Sequence, residues 1–372
     1  MKRISRAFVL LLVAVLLFSA CDVAITGPES KNGEAAMRPN IIENYDLKVF
    51  LQEQDVYAKE NLFAMYYAIA HFEKTCYLPY PMPQERAQAL LSILCGECPE
   101  LFQIDLTQPT SYHSYEGSSN VIAVDFPYCM DKDTYDTLLT KAKNALAEFD
   151  TEGMTLLEAE KYIYDRLSQN ISYSKTAEHC ENVYGALVKG KAKCDGIAKA
   201  MKWAMEYAGF SCMFIDGLPY DDGVGHAWNI VPVDGHYYHV DLTADVEEDD
   251  QKDPLYPAYN VSYPLMVSRY APSTYYNIKP EYSMDASYHA LAGNYFDVGD
   301  AWEEGIKERF LAAYKKGGMF TVQFSTSVGF DYCKDALRDL FREAAEEAGL
   351  SRWSWTTTFL EPYHVISVQI EK

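Results

Sequence analysis

The sequence predicts an α+β protein centred on a cysteine-bearing helix set against an antiparallel sheet. Three observations predict it. Helix signals begin at Cys194 and run to Gly209. Two alternating segments, 226–231 and 236–242, flank Pro232-Val233-Asp234-Gly235, and Asp-Gly is a strong hairpin signal. Beyond residue 300, helix-like and strand-like stretches alternate to residue 372. The expected organisation is a leader at 1–20, a tether at 21–40, a mainly helical region at 41–150, the core at 151–295 and a small α/β domain at 300–372. A chain of 372 residues exceeds one typical core and fits two or three folded units.

The first residues stand apart from the fold. Lys2, Arg3 and Arg6 form a basic start, and 7–20 is an almost unbroken apolar run. It is shorter than the roughly 20 residues that span a bilayer as a helix. Its length and flanks fit a secretory signal peptide. Phe18-Ser19-Ala20-Cys21 closes it and resembles the lipobox of bacterial lipoproteins, with Phe where Leu is more usual. That resemblance implies that Cys21 is lipidated and becomes the mature N-terminus. The protein would then sit at the bacterial cell membrane, held by lipid alone and facing the extracytoplasmic side. Residues 22–40 are rich in Gly, Pro, Ser, Asn and Glu and read as a flexible tether.

Residues 44–101 read as helical, with apolar residues at helix-like intervals such as Leu47, Leu51 and Tyr57, and a second stretch at 83–94. Residues 121–126 read as a strand, and 131–149 as a helix. Thr155 and Glu158 form a capping-box pattern that opens a helix to residue 169. Near the end, 320–325 and 355–370 read as strands, the latter broken at Pro362, with a helix at 332–348 stopped by Gly349.

Composition narrows the function classes. The net charge is −22 and the pI about 4.7, so nucleic acid and anionic lipid headgroups are not expected partners. Solubility is the simpler reading of that acidity. The 30 tyrosines suit a sugar or peptide groove, though spread along a chain they more often pack core and rim. Nine cysteines are present, and setting aside Cys21 and Cys194 leaves an odd number with no framework spacing. Cys95-Gly96-Glu97-Cys98 is a lone CxxC, half a zinc site at most, and is read as a local disulfide or as burial. The acidic run 245–253 lacks EF-hand spacing and reads as a solvated loop. No metal and no cofactor are expected.

Cys194 at a helix start meets exposed N–H groups and the positive end of the dipole, which favour a nucleophilic thiolate. Taken alone, one cysteine more often reads as a buried structural residue. A two-residue turn at Asp234-Gly235 makes Asp241 the diagonal neighbour of His226, and a four-residue loop makes it the direct one. In both registers they share a face. Asp241 would then orient His226, which takes the thiol proton and later serves as general acid. The Cys194 backbone N–H is the natural oxyanion donor, and Tyr184 is the candidate for a second.

The segment 190–196, His226-Ala227-Trp228-Asn229 and Val240-Asp241-Leu242-Thr243 together resemble the three motifs of the transglutaminase-like superfamily, in the order Cys, His, Asp. The likeness covers roughly 155–270. It implies a papain-like core with Cys194 as nucleophile, His226 as base and Asp241 as orienter. Ala244 departs from it, since relatives often carry Trp after the Thr, which affects one wall of the cleft. The implied function is an extracytoplasmic thiol enzyme on amide bonds of peptides or proteins, with substrates possible in the cell wall or at the surface. Its acyl-enzyme would pass to water or to an amine. The alternative is a non-catalytic binding or scaffold module on the same fold.

Overall fold

The computed structural model describes residues 56–371, apart from 221–222, 247–252, 298 and 300. The expected signal peptide, Cys21, the tether and the first residues of the helical region lie outside the described residues. The chain divides into two compact units, one running to Leu94 with Ile104–Tyr128, the other comprising Cys95–Gln103 and Cys129–Lys372.

The first unit holds α1 (Val56–Ala70), β1 (Thr75–Pro83), most of α2 (Gln84–Glu97), β2 (Ser111–Ser114) and β3 (Asn120–Asp125). Its strands form an antiparallel sheet in the order β1-β3-β2. The expectation of helix throughout 44–101 fails at β1. There Thr-Cys-Tyr-Leu-Pro-Tyr-Pro-Met-Pro carries three prolines, which lack the N–H a helix interior needs. Asn61, fully buried on α1, fixes this strand by donating to Tyr80 O at 2.9 Å and accepting from Tyr80 N at 3.1 Å. The strand expected at 121–126 is β3.

The second unit opens its helical part with α3 (Lys132–Leu146), whose N-cap Asp131 accepts from Thr134 N at 2.8 Å. Next is α4 (Leu156–Asn170), which shows the Thr155–Glu158 capping box foreseen in the sequence. The short strands β4 (Ser172–Tyr173) and β5 (Lys191–Ala192) pair in parallel around a π-helical turn, Gly185–Lys189. They lead into α5 (Cys194–Tyr207). After it come β6 (Met213–Pro219), β7 (His226–Val233), β8 (His236–Val240), α6 (Thr243–Val246), α7 (Tyr263–Val267) and β9 (Tyr270–Pro272). The sheet order is β8-β7-β6-β9, antiparallel throughout. The helix α5 lies against β7, and Trp203 of α5 and Trp228 of β7 are both fully buried. Burying each such ring contributes roughly 1.5–3 kcal/mol.

The chain closes with α8 (Tyr288–Leu291), β10 (Tyr295–Phe296), α9 (Trp302–Lys316), β11 (Gly318–Phe324), α10 (Ser327–Glu347), β12 (Ser354–Leu360) and β13 (Val365–Glu371). The sheet β10-β11-β13-β12 packs on α9 and α10 through Phe310, Phe330, Phe341 and Val368. The break expected at Pro362 is a reversal. A 3-10 turn, Glu361–Tyr363, joins β12 and β13 as antiparallel neighbours.

Two further expectations change. Asp245 is not in a solvated loop: it is buried and accepts from Tyr164 Oη at 2.7 Å, Leu255 N at 2.7 Å and Tyr256 N at 2.9 Å. Three donors offset the cost of taking the carboxylate out of water. Cys95 and Cys98 are buried free thiols, which leaves burial rather than a disulfide as the reading of the CxxC.

Candidate active site

The nucleophile candidate is set by close backbone packing. Lys193 is the N-cap of α5, with extended φ and ψ of −98° and −179°, and Cys194 is the first helical residue. Its N–H therefore has no partner within the helix. Gly196 lets the preceding loop approach, because a Cβ there would lie 2.6 Å from Cys180 O and 3.0 Å from Asn182 O. Lys193 Nζ pairs with Glu181 Oε1 at 2.7 Å across the same loop. Cys194 is buried beside Ala198, Phe214 and Ala227.

The base candidate comes from the hairpin. Asp234 and Gly235 have φ of 51° and 88°, as a two-residue turn with both central residues left-handed requires. Val233 then opposes His236, and Asn229 opposes Val240. This is the first of the two registers the sequence allowed. Asp241 lies one residue past β8, diagonal to His226, and His226 Nε2 donates to Asp241 Oδ2 at 2.8 Å. The Cys194 side chain neighbours the same imidazole and raises its affinity for a proton. With Nε2 on Asp241, the nitrogen left for the thiol is Nδ1.

Electrostatics reinforce the pair. Burial alone would push the His226 imidazole down. The Asp241 carboxylate and its hydrogen bond, with a contribution from Cys194, outweigh burial and raise it to about 10. Burial likewise opposes ionisation of Asp241, but His226, Tyr363 and Arg269 hold its carboxyl below the usual range. Asp241 Oδ1 also accepts from Thr243 N at 3.1 Å.

The structure surrounds the pair with further side chains. The His226 ring stacks on Tyr270 with centroids 4.1 Å apart and planes 18° apart. Trp228 lies 6.1 Å from His226 and donates from Nε1 to His239 Nδ1 at 2.9 Å. His239 is fully buried, and burial pushes its imidazole down to about 3. It is therefore a neutral acceptor that orients the indole. Tyr363 Oη donates to Asp241 Oδ2 at 3.0 Å. Alternation on β7 was the available signal for Trp228, whereas no spacing rule ties residue 363 to 241.

The candidate oxyanion residue Tyr184 is buried just before the π-helical turn. Its ring meets His179 at 5.2 Å and lies 5.8 Å below Lys189 Nζ. Its backbone N–H is donated to Asn182 Oδ1 at 3.0 Å, which leaves the hydroxyl as the group such a role would use. Among the described residues no group of three or more His, Cys, Asp or Glu is arranged to hold a metal ion.

Residues 143–242 match the family model of the transglutaminase-like superfamily, a span that contains Cys194, His226 and Asp241. No curated protein matches the chain. Among solved structures, a proposed cysteine protease from Cytophaga hutchinsonii is 13% identical, with a TM-score of 0.25 over 36% of this chain and 61% of that one. A TGase is 11% identical, with a TM-score of 0.26 over 45% of this chain and 50% of that one. A proposed protease from Parabacteroides distasonis is 15% identical, with a TM-score of 0.22 over 37% of this chain and 34% of that one. This chain thus spans less than two thirds of the length of each. The α+β class and the transglutaminase-like core expected from the motifs are borne out.

Proposed function

We propose that this protein is an extracytoplasmic thiol enzyme that cleaves amide bonds of peptides or proteins through a Cys194 acyl-enzyme. The observation that carries the reading is the hydrogen-bonded His226–Asp241 pair beside Cys194, which opens α5. The proton is held on His226 as an imidazolium, paired with the Cys194 thiolate, when Cys194 Sγ bonds to the carbonyl carbon. The oxyanion forms beside the Cys194 N–H. The C–N bond breaks, and His226 returns its proton to the departing amine. Water then attacks the thioester, His226 takes a proton from it, and collapse releases the carboxylic acid and the thiol.

Water is favoured over an amine as acceptor. A cross-linking enzyme must hold water away from the thioester, and Ala244 offers no bulk to wall off such a tunnel. Lipidation of Cys21 would place this chemistry at the bacterial cell surface, near peptide or cell-wall substrates.

The test incubates the protein with peptide and cell-wall amide libraries and a labelled primary amine, with Cys194→Ala beside it. Hydrolysed product that requires Cys194 is expected. Amine incorporation in excess of hydrolysis would reverse the choice of acceptor. No product of either kind would move the reading to a binding module.

A further inference from the structure

The Asp241 carboxylate is sealed from solvent, with its side chain 2% exposed. Its Oδ2 receives two donors, His226 Nε2 at 2.8 Å and Tyr363 Oη at 3.0 Å. Tyr363 arrives from 122 residues downstream, on the turn between β12 and β13. Pro362 fixes φ within that turn, and His364, at φ 55°, reverses the chain after it. Gln323, fully buried on β11, donates from Nε2 to both Tyr363 O at 3.0 Å and Pro257 O at 3.1 Å. The turn is thereby tied to the loop that also accepts Asp241 N, at Ala258 O, 2.9 Å away. The Arg269 guanidinium lies 4.7 Å from the Tyr363 ring centre and 5.1 Å from that of Tyr270, and Tyr270 in turn stacks on His226. Asp241, Tyr363, Arg269, Tyr270 and His226 thus form a closed circuit of contacts.

We infer that Tyr363 is a positioning residue for the Asp241–His226 pair, so that the C-terminal helix-and-sheet layer is part of the catalytic machinery. The inference rests on the thiol-enzyme reading. A carboxylate with one strong partner can rotate about its terminal torsion. A second donor on Oδ2, opposed by Thr243 N on Oδ1, fixes its plane and so the plane of the imidazole. A phenol donor also lowers the proton affinity of the carboxylate, which keeps Asp241 ionised while His226 carries its proton. Burial and the adjacent carboxylate push the Tyr363 phenol well above its ordinary range, so it remains a donor at every working pH. The groups that face Asp241 are His226 from β7, Tyr363 from the turn, Arg269 before β9 and Tyr164 from α4.

A purely structural role for Tyr363 would alter melting without altering the titration of the pair. The test measures iodoacetamide alkylation of Cys194 against pH by peptide mapping, and the His226 ring signals by NMR, in the full chain and in Tyr363→Phe. The expected result is an alkylation rate about tenfold lower at neutral pH, the scale of a lost hydrogen bond to a charged group. The acid limb is expected to move up by about one pH unit as Asp241 becomes easier to protonate. Site-specific 3-fluorotyrosine at position 363, a stronger donor that keeps the ring, should move that limb down, and it serves if Tyr363→Phe does not fold. Profiles that superimpose on the unmodified protein would overturn the inference, whatever the melting temperature. If Cys194 is inert in the unmodified protein while the His226 titration still follows residue 363, the positioning role stands and the enzyme reading falls.

Discussion

At the scale of single residues, thiol environment separates one cysteine from the rest. Burial lifts the thiols of Cys76, Cys95 and Cys333 to about 12, and those of Cys98 and Cys212 well above their ordinary value. Cys129 is exposed, whereas Cys194 is buried beside the His226 imidazole. Among the described cysteines, brief iodoacetamide treatment at neutral pH is expected to label Cys194 and Cys129 alone. His226→Ala should slow Cys194 and leave Cys129 unchanged, as read by peptide mapping. Label spread over the buried thiols, or equal slowing of both sites, would contradict this. A second residue-scale prediction concerns Lys202. It is fully buried, ion-paired with Glu97 Oε2 at 3.0 Å and Glu206 Oε1 at 2.6 Å, and donates to Cys212 O at 2.7 Å. Lys202→Met removes the cation and leaves two buried carboxylates facing each other. Urea titration should show a loss of about 3–5 kcal/mol, the usual consequence of breaking a buried ion pair from one side. The Lys202–Glu206 pair has the i, i+4 spacing of a helix, whereas Glu97 could not be paired from the sequence, because residue 97 and residue 202 belong to elements with no local spacing relation.

At the scale of elements, the hairpin decides whether the site exists. The side-chain period of a strand is two, so a one-residue slip turns every side chain to the other face. One glycine inserted between Asp234 and Gly235 should carry Asp241 away from His226 and lower Cys194 alkylation to the His226→Ala rate, with the rest of the fold retained by circular dichroism. An unaffected rate would mean that the turn does not set the pairing. The start of α5 is equally constrained. Gly196→Ala drives a Cβ into Cys180 O and is expected to cost about 1–3 kcal/mol or more by overpacking. These elements were legible because their signals are local: a capping box at Thr155, an Asp-Gly turn, a helix start at Cys194. The strand β1 was not legible, because the apolar and aromatic density around it resembles helix and only its three prolines speak against one. The break at Pro362 was seen, but its consequence, a hairpin that delivers Tyr363 to Asp241, depends on pairing over long sequence separation.

At the scale of the whole molecule, buried ionisable groups set the pH response. Glu97 is raised from 4.5 to about 7 and Glu160 from 4.5 to about 8, both chiefly by burial, and His226 from 6.5 to about 10 by the partners that outweigh its burial. Each folded pKa lies above its unfolded value, so each contribution is present at low pH and is lost as pH rises through that window. In the other direction, burial lowers His239 to about 3 and His289 to about 4, and their contributions are lost as pH falls below 6.5. Denaturant unfolding should therefore show stability falling from pH 6 to pH 9, and a rise over that interval would contradict the burial of these carboxyls. The membrane proposal is tested separately. Cys21→Ser should move the protein from the membrane fraction to the soluble one, and unchanged retention would remove the lipid anchor. The three motif residues could be read from the sequence, while their supporting ring of Tyr270, Arg269 and Tyr363 exists only in the folded chain. The central claim is that Cys194 forms an acyl-enzyme. Its most direct measurement is intact-protein mass spectrometry after acid quench of a reaction with an amide library, followed by peptide mapping. The account predicts a transient acyl adduct on Cys194 that is absent from Cys194→Ala and does not accumulate in His226→Ala. An adduct on another residue, or an adduct-free protein in the presence of product, would contradict it.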